Sequence, residues 1–135
     1  MKMLPFVLTL AVVTSGVASA AEYECPVTRK VNAENVYTPE QLKQAQLSVL
    51  IADDGETAWL TRCSLTSMEG KVNCDPYEVD RIERIEVTSV GLEKQVIAKF
   101  YHFSSHFDVQ LFGDLFFVEN NGRGDIAYGH CERVR

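Results

Sequence analysis

Three histidines and one aspartate late in the chain are the side chains best suited to hold a metal ion. His102, His106 and Asp108 lie within seven residues of one another, and His130 falls on a later predicted strand. Zinc and copper accept imidazole and carboxylate ligands. The intervening Ser104-Ser105 favours a turn, which would separate these groups. We therefore expect solvated or hydrogen-bonded histidines, with no metal and no other cofactor.

The sequence contains no pattern typical of a catalytic nucleophile or an acid–base pair. Ser64 has neither a neighbouring histidine nor a strained glycine turn around it, and no glycine-rich phosphate loop precedes a helix. The carboxylates Asp80, Glu83 and Glu86 are spaced as a solvated strand face would be. These observations predict that the protein is not an enzyme.

Most aromatic residues fall between positions 100 and 128, at both parities of their predicted strands. A sheet with one face in water would keep them on one parity. Phe100, Phe112 and Phe116 share parity with apolar rows, and we predict that they are core residues. Phe107 and Phe117 are predicted to be the exposed pair. Since exposed aromatic patches usually mark binding sites, these two rings are candidates for a binding surface.

Arg123-Gly124-Asp125 spells the adhesion tripeptide and lies on a predicted loop. The favoured interpretation is an ordinary turn, because Gly122 and Gly124 tolerate positive φ and the flanking residues are polar. Arg123 is retained as the third candidate for the binding surface.

Residues 1–20 have the features of a signal peptide. Lys2 gives a positive start, residues 4–13 are apolar, and Ala18-Ser19-Ala20 fits the small-residue cleavage rule. The apolar run is too short to be a permanent transmembrane helix, and no other stretch is long enough. We expect a soluble protein that starts at Ala21 and is periplasmic or secreted.

The remaining chain, residues 21–135, has a length typical of one domain. The whole chain carries a formal net charge of −6, and removal of Lys2 leaves 12 basic against 19 acidic residues, a net charge of −7. An acidic protein without a basic stripe is poorly suited to bind nucleic acid or anionic membranes. The charge would suit a cationic partner, but the more usual role of such a charge is to keep a secreted protein soluble.

Four cysteines in an exported chain indicate two disulfides, for which three pairings exist. Zinc is the alternative, but the sequence has no C-x-x-C pair. A four-residue turn over residues 67–70 would place Cys63 directly opposite Cys74 in adjacent strands. Cys25–Cys131 then follows by elimination and would join the first strand to the last.

Runs of alternating apolar and polar residues indicate about eight strands, including a hairpin around Gly113-Asp114. Residues 22–31 and 81–88 are two of the other predicted strands. Thr38-Pro39-Glu40-Gln41 is a capping box with proline at the first helical position, and it predicts a short helix over 39–45. The predicted fold is all-β, an antiparallel barrel or sandwich stapled by disulfides.

The two ends of the chain resemble the small exported lysozyme-inhibitor barrels. The resemblance rests on the signal peptide, the opening Tyr23-Glu24-Cys25 and a cysteine, Cys131, in the closing strand. It implies a β-barrel that inhibits a secreted or cell-wall enzyme. The Ser-Gly-containing loop of that family has no counterpart here, so the resemblance assigns no functional residue.

These observations predict an exported, non-enzymatic binding protein whose partner is an unknown protein or a small apolar ligand. The first alternative is an inhibitor of a secreted or cell-wall enzyme. The second is a small carrier that holds an apolar ligand inside the β structure. A filled interior with a protruding loop would favour inhibition, and an open apolar cup would favour a carrier.

Overall fold

The computed structural model describes residues 21–66, 68–88, 91 and 93–135. The predicted signal peptide and Ser67 of the predicted turn lie outside the described residues. Within those residues the chain forms one helix and eleven strands. In chain order these are β1 (Ala21–Pro26), β2 (Arg29–Val31), α1 (Pro39–Ala45), β3 (Ser48–Asp53), β4 (Ala58–Thr66), β5 (Lys71–Glu78), β6 (Arg81–Thr88), β7 (Lys94–His102), β8 (Asp108–Phe112), β9 (Phe116–Asn120), β10 (Ile126–His130) and β11 (Glu132–Arg133).

The strands form two antiparallel sheets. Sheet 1 has the order β11-β1-β3-β4-β5, and sheet 2 has the order β2-β10-β9-β8-β7-β6. The chain changes sheet after β1, after β2, after β5 and after β10. Across the described residues neither ladder closes into a barrel, and one buried cluster draws on both sheets. The predicted antiparallel β fold with one helix is confirmed, and the architecture is the sandwich alternative.

The predicted strand over residues 22–31 is divided where the chain passes between the sheets. The Val27 amide donates to the Leu47 carbonyl beside sheet 1, while the next amide, Thr28, donates to Tyr128 of sheet 2. The strand predicted over residues 81–88 is β6 as expected. Strand β5 runs through Asp75 and Pro76 to Glu78.

Helix α1 has the predicted bounds because its end groups are satisfied locally. The Thr38 hydroxyl accepts from the Gln41 amide at 3.2 Å, and the Gln41 side chain accepts from the Thr38 amide at 2.8 Å. Gln46 takes a left-handed conformation and ends the helix. Leu42 is its buried residue, and the helix packs against β2 and β4.

Large side chains from both sheets fill the interior. Ile51 and Leu60 of sheet 1 and Tyr101 and Phe117 of sheet 2 are each at most 1% exposed. Gly129 allows β10 to lie close to Pro26 and Phe117, since a Cβ at this position would clash with the Pro26 carbonyl oxygen and would lie 2.5 Å from Cε1 of Phe117. The interior is therefore a packed core, as is usual for sandwiches of this size.

Both predicted disulfides are present, Cys63–Cys74 and Cys25–Cys131. Cys63 lies directly opposite Cys74 in the ladder of β4 and β5, as predicted. Cys131 lies where the chain leaves β10 for β11, so its bridge to Cys25 ties this crossing to β1. Two disulfides indicate an oxidising environment such as exported proteins meet. In the described part of the chain, no helix is both long and apolar enough to cross a membrane.

Candidate interaction surface

The predicted exposure of Phe107 and Phe117 is wrong. Phe117 is 0% exposed and Phe107 is 5% exposed, and both belong to the core cluster. The turn after β7 folds inward, so that the Phe107 ring stacks on Phe103 with centroids 4.1 Å apart. Tyr77 of sheet 1 meets the edge of the same ring at 5.3 Å. Neither phenylalanine is available to a partner at the surface.

A buried ion pair explains why the parity of β9 differs from the prediction. Alternation along β9 places Phe117 and Glu119 inside and Phe116 and Val118 outside. Glu119 is 5% exposed, and its Oε1 accepts a hydrogen bond from Nη2 of Arg62 at 2.6 Å. Burial raises the pKa of Glu119, and the nearby Arg62 partly offsets this. Because a buried charge needs a partner, the inward Glu119 depends on Arg62 in the other sheet.

The predicted core position of Phe100, Phe112 and Phe116 is also wrong, because all three lie half-buried on the outer face of sheet 2. With Tyr128 they form a line of rings across β7, β8, β9 and β10, which we name the aromatic row. Neighbouring centroids are 6.4 Å apart for Phe100 and Phe112, 6.2 Å for Phe112 and Phe116, and 6.1 Å for Phe116 and Tyr128. The His130 ring extends the row, 5.3 Å from Phe116.

Aliphatic side chains extend the aromatic row at the end of sheet 2 that carries the β8–β9 turn. Val96 is 37% exposed and Ile97 is 40% exposed. They line an open groove of about 560 Å³ with Phe112, Phe116 and Val118. The outer face of an antiparallel sheet in water is usually polar. This continuous apolar surface therefore sets the face apart as a candidate interaction site.

The residues considered for metal binding do not come together as one group. His102 Nε2 lies 3.2 Å from Oε2 of Glu83, and His106 is exposed in the turn after β7. Asp108 is the cross-strand partner of His102, whereas His130 belongs to the edge of the aromatic row. Among the described residues, no three His, Cys, Asp or Glu side chains are grouped to hold a metal ion.

The Arg-Gly-Asp segment forms the turn between β9 and β10. Asn121 Oδ1 accepts hydrogen bonds from the backbone amides of Arg123 and Asp125, at 2.8 and 3.1 Å. Its Nδ2 donates to Oδ2 of Asp125 at 3.1 Å. Gly122 and Gly124 both have positive φ. Arg123 is exposed, as a surface candidate must be, and its binding role stays a prediction.

A second buried polar cluster surrounds Asp53. Oδ2 of Asp53 accepts from the Tyr101 hydroxyl at 2.7 Å and from Lys99 Nζ at 3.1 Å, and Oδ1 accepts from the Gly55 amide at 2.8 Å. Burial alone would raise the pKa of Asp53, but these hydrogen bonds outweigh it and hold the pKa below its ordinary value of 3.8. Burial and the Asp53 carboxylate raise the pKa of Tyr101. Its partners within the fold make this cluster structural.

Comparison with protein-family models, curated proteins and solved structures found no match for this chain. The candidate site therefore rests on geometry alone. The sequence pattern did not identify the aromatic row as a surface, because Phe116 and Val118 alternate with Phe117 and Glu119 and each set contains an aromatic residue. Phe116 and Val118 could have been assigned to the outer face only if Glu119 had been recognised as a buried residue that pairs with a cation.

Proposed function

We propose that this chain is an exported, non-enzymatic interaction protein that binds a partner protein through the aromatic row. The observation that carries the proposal is the line of four half-buried rings, flanked by Val96 and Ile97, on the outer face of sheet 2. Aromatic side chains are enriched at protein interfaces and supply much of their binding energy. Large apolar patches on soluble proteins usually mark such sites.

The features expected of an exported protein support the same proposal. The predicted signal peptide and the two disulfides suit the periplasm or the extracellular space. The carrier alternative has less support, because Tyr101 and Phe117 are fully buried in the core and the cavity of about 220 Å³ between the sheets includes the charged side chains of Arg62 and Glu119 in its lining. Inhibition of a secreted enzyme is a special case of the proposal, in which the partner protein is that enzyme.

Co-purification from the exported fraction of the producing cells tests the proposal. The wild type is compared with Phe112→Ser/Phe116→Ser and with Val72→Ala, a control at an exposed apolar residue of sheet 1. We expect a stoichiometric protein partner, identified by mass spectrometry, with the wild type and with the control. The double serine variant should lose that partner while its urea unfolding curve shows that it is folded.

Two outcomes contradict the proposal. Equal recovery of the partner by the double serine variant would show that the aromatic row does not bind it. The second outcome concerns self-association, which light scattering detects as the molar mass of a dimer of the purified wild type. A dimer that the serine substitutions convert to monomers would assign the row to self-association instead. If the double variant unfolds, Phe116→Ser alone serves, since it leaves Phe112 in place.

A further inference from the structure

The outer face of sheet 1 carries an exposed aromatic residue, Trp59. The indole is 48% exposed and lies between Ala52 of β3 and Glu78 of β5 in the strand register. Leu50, one row away, is 39% exposed. Trp59 and Leu50 form part of the wall of a pocket of about 300 Å³, which also includes Glu22 and Glu24.

Carboxylates surround this indole on both sides. Glu78 is its cross-strand neighbour, and Glu22 lies beyond Ala52 in the same row. Glu24 and Glu132 are paired in the adjacent row. Within the described residues, Glu24, Glu78 and Glu132 make no ion pair. The result is an apolar floor with a negatively charged rim, in which three of the four carboxylates have no ion pair within the described residues.

One cation of the chain itself already lies at this rim. Arg135 Nε lies 3.5 Å from Oε2 of Glu22, and the Arg135 side chain is 77% exposed. The backbone of Glu22 also pairs with Val134 and Arg135. The Arg135 guanidinium therefore lies at this rim in the folded protein. The other three carboxylates of the rim, those of Glu24, Glu78 and Glu132, remain available to other cations.

We propose that the outer face of sheet 1 binds a lysine- or arginine-rich segment of another protein. The face of an indole attracts ammonium and guanidinium groups, and the glutamates supply complementary charge at the rim. The net charge of −7 predicted for the exported chain favours approach of such a segment over long range. This site lies on a different sheet from the aromatic row and does not depend on the function proposed for that row.

Fluorescence of Trp59 measures the proposed binding directly, because it is the only tryptophan of the chain. The protein is titrated at low ionic strength with capped hexalysine and hexaarginine peptides, and with hexaglutamate as the control ligand. We expect a saturable change with both basic peptides and none with hexaglutamate. Added salt should weaken the binding, since the attraction is between exposed charges.

Charge-matched variants separate a defined site from general attraction to an acidic protein. Glu24→Gln/Glu78→Gln should weaken peptide binding about tenfold, the change expected when two exposed charge pairs are lost. Glu34→Gln/Glu86→Gln has the same net charge, alters exposed carboxylates elsewhere, and should bind as the wild type does. Phe112→Ser/Phe116→Ser should also bind the peptides normally, which keeps this test separate from that of the aromatic row.

The proposal is overturned if neither basic peptide produces a saturable change at low salt. It is equally overturned if the two glutamine variants lose affinity by the same factor, because binding would then follow net charge alone. Both glutamine variants alter exposed side chains, and their unfolding curves verify that each is folded before the titration.

Discussion

Phe116 and Phe117 provide the sharpest test of the parity of β9, because neighbouring residues of one strand face opposite sides of sheet 2. Phe117 is 0% exposed and lies among the core residues. Truncating a buried phenylalanine to alanine costs about 3–5 kcal/mol. Domains of this size have a total stability of about 5–15 kcal/mol. Phe117→Ala should therefore remove about a fifth or more of the free energy of unfolding.

Phe116→Ala is the matched variant, since it removes the same atoms from the outer face. The ring is half-buried, and among the described residues its neighbouring rings are those of Phe112, Tyr128 and His130. Loss of its contacts with Phe112 and Tyr128 should cost about 2 kcal/mol, about 1 kcal/mol for each pair. Urea unfolding followed by circular dichroism measures both variants. With a slope of about 2 kcal/mol per molar urea, the midpoint should fall by about 2 M for Phe117→Ala and by about 1 M for Phe116→Ala. Equal losses, or a larger loss for Phe116→Ala, would refute the assigned parity.

Other parts of the fold give three more predictions. Replacing Cys25 and Cys131 with alanine opens a bridge that spans 106 residues, and urea unfolding should show a loss of about 4–5 kcal/mol. No loss would show that the bridge does not constrain the unfolded chain. Because the fold lowers the pKa of Asp53, its charge stabilises the protein above pH 3.8, and this contribution is lost as the pH falls through the lowered pKa. Between about pH 6 and 2, the free energy of unfolding should therefore fall less for Asp53→Asn than for the wild type. Parallel curves of the free energy of unfolding against pH would contradict this. Arg62→Met leaves the Glu119 carboxylate buried without its cation, which should cost about 3 kcal/mol at neutral pH. Since burial raises the pKa of Glu119, part of that loss should return as the pH falls toward 4.5, and a loss independent of pH would be the contrary result.

Features decided by neighbouring residues were predictable from the sequence. The capping box at Thr38 and Gln41 gave the bounds of α1, because both of its hydrogen bonds lie within four residues. The hairpin of β4 and β5 placed Cys63 opposite Cys74, because a short turn determines the register of two adjacent strands. The second disulfide then followed from the number of cysteines. Local rules therefore sufficed for the helix and for the covalent framework.

Features decided by distant contacts were not predictable from local pattern. Both faces of β9 carry apolar residues. The charge of Glu119 favoured assigning its face to solvent, although this is the inner face. Its partner Arg62 lies 57 residues away in the sequence and belongs to the other sheet. Phe107 was misplaced for a related reason, because its burial depends on stacking with Phe103 and on Tyr77 of sheet 1. Assigning these faces requires the packing of both sheets.

The surface around Trp59 was not predicted from the sequence. Ala58 and Leu60 are buried while Trp59 between them is exposed, so apolar residues again occupy both faces of a strand. Alternation identifies a strand, but it cannot choose between its faces when both are apolar. Both candidate surfaces of this protein arise at such strands.

Hydroxyl-radical footprinting of the protein with and without its co-purified partner tests the central proposal most directly. Phe112 and Phe116 should be modified several times more slowly in the complex, because the partner would cover the aromatic row. Met68, which is 95% exposed in the turn between β4 and β5, serves as the internal control and should be modified at the same rate in both samples. Unchanged modification of Phe112 and Phe116 in a saturated complex would show that the partner binds elsewhere.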